Sequence, residues 1–136
     1  MFNEKKIRES IENGSIKDIP VVQKDWGREI WVVNKEYCGK VLELKKGYRC
    51  SIHHHKEKDE TFLVIEGRVL MEIDGKEWVM EAGHCQHIAP GTKHRFTGLE
   101  NSRIIEFSTT HKDSDSYRDV PSGKADDKVL AKFGVK

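Results

Sequence analysis

The residues best suited to chemistry fall in one stretch, Gly47-Tyr48-Arg49-Cys50-Ser51-Ile52-His53-His54-His55, which continues through residues 56–59 to Glu60 and closes at Gly67. Written as spacing, it is G-x5-H-x-H-x4-E-x6-G. Side chains alternate along an extended strand, so His53 and His55 share one face while His54 points away. Glu60 opens the next strand after a short connection, and its carboxylate can return to the same face beside two neutral nitrogens. Imidazole with carboxylate is a ligand set for one divalent transition metal, zinc, manganese, iron, nickel or cobalt. A second segment, Gly83-His84-Cys85-Gln86-His87-Ile88-Ala89-Pro90-Gly91-Thr92-Lys93-His94, turns at Pro90-Gly91 and starts a strand at His94, the expected fourth ligand. Consecutive histidines also occur in exposed loops, but the internal position of these and their companion glycines, Glu60 and His94 favour a metal site. His84 and His87 stand three apart on a strand and face opposite sides, so they are not expected to share an ion.

The two segments resemble the paired motifs of the cupin superfamily, the second of which reads P-x-G-x-x-H. The first segment matches at every fixed position. In the second, Ala89 stands at the family's proline position and Pro90 follows one place later, while Gly91 and His94 keep their spacing. The family's closing asparagine is absent, since Arg95-Phe96-Thr97 leads to Gly98. This resemblance implies an all-β fold, a small antiparallel β-barrel of jelly-roll type, with His53, His55, Glu60 and His94 at the metal-binding positions. Shorter clusters, residues 25–31, residues 37–40, and Ile105-Glu106-Phe107-Ser108-Thr109 followed by Asp113, Asp115 and Arg118, look similar to type II mannose-6-phosphate isomerase domains over residues 21–119.

Three imidazoles and one carboxylate leave roughly two positions of an octahedral ion open, which suits the neighbouring carbonyl and hydroxyl oxygens of a carbohydrate substrate. An ion holding both would lower the cost of the charge that develops when the adjacent C–H loses its proton. Aldose–ketose isomerisation is the expected reaction, and it needs a proton-transfer group that is not spent on the metal. Glu106, inside the otherwise apolar run Ile104-Ile105-Glu106-Phe107, is the candidate catalytic residue. An outward Glu106 paired with Arg103 is an equal alternative, because alternation alone does not say which face is interior. Arg49, placed on the face of His53 by alternation, and Lys93, beside His94, are candidates for holding an anionic substrate group. Two other functions fit the same ligands: a dioxygenase using iron(II), and a non-catalytic module that binds metal and a small molecule or carbohydrate. An inward Glu106 favours the isomerase.

The elements that must position these residues are mostly short strands: residues 29–33, 41–44, 61–65, 69–73, 78–80, 87–89 and 103–108, divided by turn residues. Asp74-Gly75 between two alternating runs predicts a type I′ hairpin. Ile7 and Ile11 behind Asn3 predict a helix over residues 4–13, and residues 125–133 a brief terminal helix ended by Gly134. The expected organisation is a helical extension over residues 1–20, a barrel over 21–111 and a polar tail over 112–136.

A chain of 136 residues suits one domain. Twenty-four basic residues against 23 acidic ones, a formal charge of +1, leave no surplus to hold a phosphate backbone, so nucleic acid is not an expected partner. No apolar run nears the roughly 18 residues of a membrane span. The charged opening Met1-Phe2-Asn3-Glu4-Lys5-Lys6 lacks a secretory core, and three cysteines without a C-x-x-C pair read as free thiols, so a cytoplasmic protein is expected. Trp26, Trp31 and Trp78 are expected in a core or a dimer surface, and the strands over residues 21–33 could pair two copies into a homodimer.

Overall fold

Alternating burial along short extended segments builds two antiparallel sheets. The computed structural model describes residues 19–136 together with Lys5, and the helix predicted over residues 4–13 otherwise lies outside the described residues. The strands in chain order are β1 (Val21–Lys24), β2 (Gly27–Asn34), β3 (Tyr37–Leu44), β4 (Tyr48–Arg49), β5 (Ile52–His54), β6 (Glu60–Glu66) and β7 (Arg68–Ile73). They continue as β8 (Lys76–Glu81), β9 (Cys85–Ile88), β10 (His94–Gly98), β11 (Ser102–Thr109), β12 (Tyr117–Val120) and β13 (Gly123–Lys124). The first sheet has the order β1-β2-β3-β11-β6-β9. In the second, β10 is central, pairing with β7 on one side and with β5 and β4 on the other; β8 extends β7, β12 extends β5 and β13 extends β4. This matches the expected all-β jelly roll. The sheets face each other across one core, in which Leu42, Phe62, Val64 and Ile104 of the first meet Val69, Met71, Met80 and Phe96 of the second. Each such side chain contributes about 1.5–3 kcal/mol by leaving water.

The β7–β8 hairpin turns at Asp74 (φ 47°) and Gly75 (φ 80°), the two positive-φ positions that a type I′ turn requires. Residues 112–136 are more than a polar loop. One turn of 3-10 helix at Asp113–Asp115 precedes β12, and the tail lays β12 and β13 onto the second sheet. The terminal helix α1 (Asp127–Lys132) is capped by the Asp126 carboxylate, which accepts from the Lys128 N–H at 2.8 Å. Gly134, at φ 75°, ends it, and Leu130 anchors it against Leu70 and Leu99. Trp26 lies in the core, edge-on to Phe96, and Trp78 packs against the same cluster. Cys38, Cys50 and Cys85 are free thiols.

Candidate metal centre

Strand pairing brings the four predicted ligands together from both sheets. β5 carries His53, β10 opens with His94 directly opposite it, His55 follows β5, and Glu60 opens β6 in the facing sheet. Ligand atoms of His53, His55 and His94 lie within 4.8 Å of one another. The Glu60 Oε2 atom is 3.0 Å from His94 Nε2 and 3.4 Å from His55 Nε2.

Each imidazole is oriented through its other nitrogen. Nδ1–H of His53 donates to the Ser51 carbonyl at 2.9 Å, that of His55 to the Asp115 carbonyl at 3.0 Å, and that of His94 to the Thr92 carbonyl at 2.9 Å. With the proton fixed on Nδ1, every Nε2 presents a lone pair, the arrangement metal-binding histidines use. Glu60 Oε2 and His94 Nε2 are both buried without a hydrogen bond. Two buried acceptors facing each other at 3.0 Å repel unless a cation sits between them, so the donor set fits a metal ion. Burial, then the neighbouring His94, holds the His53 imidazole down to about 3. Burial would raise the Glu60 carboxyl, but His55, His94 and the Lys58 ammonium outweigh it and hold it well below the usual carboxylate range.

Beside the ligands lies a cavity of about 360 Å³, within the usual size of small-molecule sites. Glu106 faces it from the inner side of β11, beside Lys40 of β3 and Phe62 of β6. Its Oε2 accepts from Lys58 Nζ and Ser108 Oγ, both at 2.8 Å, and no hydrogen bond to Oε1 occurs among the described residues. Lys58 Nζ also lies 3.4 Å from Glu60 Oε1 and 3.0 Å from His111 Nδ1. Burial would lower the Lys58 pKa, but Glu106 and Glu60 outweigh it and raise it. Burial, then Lys40 and Lys58, lowers that of His111, whose Nε2 meets Asp113 Oδ1 at 2.9 Å. Further along the same sheet, Glu29 Oε1 accepts from Trp31 Nε1 at 2.9 Å and from the buried Lys40 Nζ at 3.2 Å, and Lys40 also lies over the Trp31 ring.

Arg49 and Lys93 do not line this cavity. The ladder breaks at Cys50 and Ser51 between β4 and β5, so the alternation that set Arg49 on the His53 face does not carry through, although Ser51 does face the cavity. Lys93 precedes His94 and projects outward, where its ammonium pairs with Asp119 at 2.6 Å. Lys58, Lys40, Trp31, His111, Asp115 and Arg118 were not singled out as site residues from sequence. The one usable signal was at Lys40, which shares the parity of the buried positions Cys38, Leu42 and Leu44.

The fold is an all-β jelly roll in which three imidazoles and a carboxylate gather beside an internal cavity, a donor set that could hold a metal ion. Residues 40–107, half of the chain, match the Cupin domain family, and the chain belongs to it. "Uncharacterized protein YdbB" of Bacillus subtilis (strain 168) is 34% identical over 65 residues, covering 47% of this chain and 56% of that protein. The chain spans about half the length of the curated relatives it matches. An RmlC-like cupin from Shewanella frigidimarina superposes with a TM-score of 0.65 at 17% identity, covering 73% of this chain and 90% of that one. KdgF from Halomonas sp. superposes with a TM-score of 0.60 at 19% identity, covering 64% and 81% respectively. At such identities the likeness speaks for the fold alone. Among the described residues no helix is long and apolar enough to cross a membrane.

Proposed function

We propose that this cupin is a metal-dependent sugar or sugar-phosphate isomerase that interconverts an aldose and a ketose. The observation that carries the reading is the Glu106 carboxylate, buried on the cavity wall with one oxygen anchored and the other without a hydrogen bond among the described residues. The likeness of residues 21–119 to type II mannose-6-phosphate isomerase domains supports it. His53, His55, Glu60 and His94 would hold the ion, which when bound supplies Lewis-acid polarisation of a substrate carbonyl. Glu106 Oε1 takes the proton from the carbon next to that carbonyl and returns it to the former carbonyl carbon, while the hydroxyl proton on the neighbouring oxygen passes to the former carbonyl oxygen. Lys58 and Ser108 keep the carboxylate in place through Oε2, and Lys58 offsets the negative charge that Glu60 and Glu106 bring close together. Phe62, Phe96 and Leu42 supply the apolar part of the cavity wall. A dioxygenase needs no second carboxylate, and Glu106 in the cavity weighs against it.

The test uses the full chain loaded with manganese, zinc, iron, nickel or cobalt and incubated with mannose 6-phosphate in D2O, followed by proton NMR at C2. Exchange and isomerisation are expected in the wild type, and Glu106→Gln should slow both by about 100-fold or more at unchanged metal content. Full activity in that variant refutes the assignment. Oxygen uptake without exchange would identify the dioxygenase.

A further inference from the structure

The charges lining the cavity do not balance once an ion is bound. Four side chains are cationic, Lys24, Lys40, Lys58 and Arg118, and four are carboxylates, Glu29, Glu60, Glu106 and Asp113. A divalent cation would leave the cavity lining two charges positive, and that excess favours an anionic guest.

The cations differ in how they are committed. Lys58 is tied to Glu106 and Glu60. Lys40 is tied to Glu29, and Lys24 stands 4.0 Å from the same carboxylate. Arg118 is the exception: its guanidinium has no hydrogen bond or ion pair among the described residues. Its direction is set by β12. Tyr117 stacks on His54, whose side chain lies on the face opposite the metal ligands, so the next residue, Arg118, turns to the cavity side and lines it. In register Arg118 is the direct partner of His53, which places it one strand from the candidate ion, at the exposed rim.

We propose that Arg118, with Lys24 also lining the cavity, forms an anion-binding subsite that holds a phosphate or carboxylate group of the substrate while the oxygens to be transformed reach the metal end. The guanidinium fork matches both oxyanions through paired hydrogen bonds, and the lysine adds a point charge. The substrate is therefore an anionic small molecule with vicinal oxygens. This deepens the isomerase reading by using the same cavity, but it concerns recognition and stands apart from turnover.

Binding to the manganese-loaded full chain is measured by calorimetry with mannose, mannose 6-phosphate and mannuronate, with Trp31 fluorescence as a second signal. The wild type should bind at least one anionic probe 10-fold or more tightly than mannose, and which one it prefers separates phosphate from carboxylate recognition. Arg118→Gln should bring that preference to within about twofold of unity, with mannose affinity and metal content unchanged. Absence of any anionic preference in the wild type, or its survival in Arg118→Gln, overturns the subsite. Arg118-dependent preference without isomerisation would sustain the subsite and overturn only the proposed reaction.

Discussion

Removing the Asp115 carboxylate should loosen the metal centre without touching a ligand. Asp115 is buried, and its carboxylate accepts from three successive backbone N–H groups, Lys56 at 2.9 Å, Glu57 at 3.2 Å and Lys58 at 3.0 Å. Its own carbonyl accepts Nδ1–H of His55 at 3.0 Å. One residue of the tail thus fixes the connection between two ligands and orients one of them. Charge-assisted hydrogen bonds contribute about 1.5–3 kcal/mol each, so the sum is bounded near 5–9 kcal/mol. Lys56 and Glu57 are exposed and can turn their N–H groups to water in Asp115→Ala, whereas Lys58 is buried and cannot. The net loss should be about 2–4 kcal/mol, which in a chain of this size lowers Tm by roughly 8–15 °C.

Stability alone does not separate a positioning role from a structural one, so the deciding measurement is metal affinity, by competition with a chromophoric chelator. Loss of an outer partner of a ligating histidine typically weakens binding about 10–100-fold. A lowered Tm with unchanged affinity would refute the positioning argument. The acid profile gives a second check. Burial opposes ionisation of Asp115, but the Lys56, Lys58 and Glu57 N–H groups outweigh it and depress its pKa. A depressed carboxylate contributes stability above its unfolded pKa, near 3.9, and loses it as pH falls through the folded value. The gap between wild type and Asp115→Ala should therefore be constant near neutrality and narrow below about pH 4.

Three further outcomes follow from the same geometry. The metal-free protein should lose stability on acidification, because the unfolded chain protonates His53 near 6.5 while the folded chain resists to about 3. Unfolding free energies from urea titrations at pH 7.5 and pH 5 should differ by about 2 kcal/mol from this group, and a flat profile would contradict it. Gly67→Ala should cost about 2–4 kcal/mol, since φ is 89° and the new methyl would press on Ser102 and lie 2.6 Å from the Asn101 carbonyl. Gly75→Ala, at φ 80° with nothing within 4 Å, is the control and should cost about 1 kcal/mol in thermal unfolding. Tyr37, Val32 and Phe107 are exposed on the first sheet, so light scattering should report a homodimer and Phe107→Glu a monomer; a wild-type monomer would refute the expected pairing.

The convergence of the candidate ligands was legible because their placement is local. Two-residue spacing sets His53 and His55 on one face, and a turn residue precedes each of the other two ligands' strands. The facing of Glu106 was not legible, and the reason lies on the outside of the first sheet. Ile104 is buried within the core, but Ile105 and Phe107 on the outer face are apolar too, so the run carries no period-two contrast to mark its interior. Lys58 and Lys40 show a different limit. A lysine on an inner face is tolerable only with a carboxylate beside it, and the partners come from elsewhere in the sequence, Glu106 for Lys58 and Glu29 for Lys40. No window along the chain contains both halves of the Lys58–Glu106 pair. The tail is the extreme case. Its composition is that of a loop, yet pairing of β12 with β5 carries Arg118 to the cavity rim, and the turn before it carries Asp115 to His55. The candidate donor set is thus written in short-range spacing, whereas the charges that would choose a substrate are set by strand registration across the fold. Relatives that keep the histidine spacing and differ in the tail should therefore keep the candidate donor set and accept different molecules.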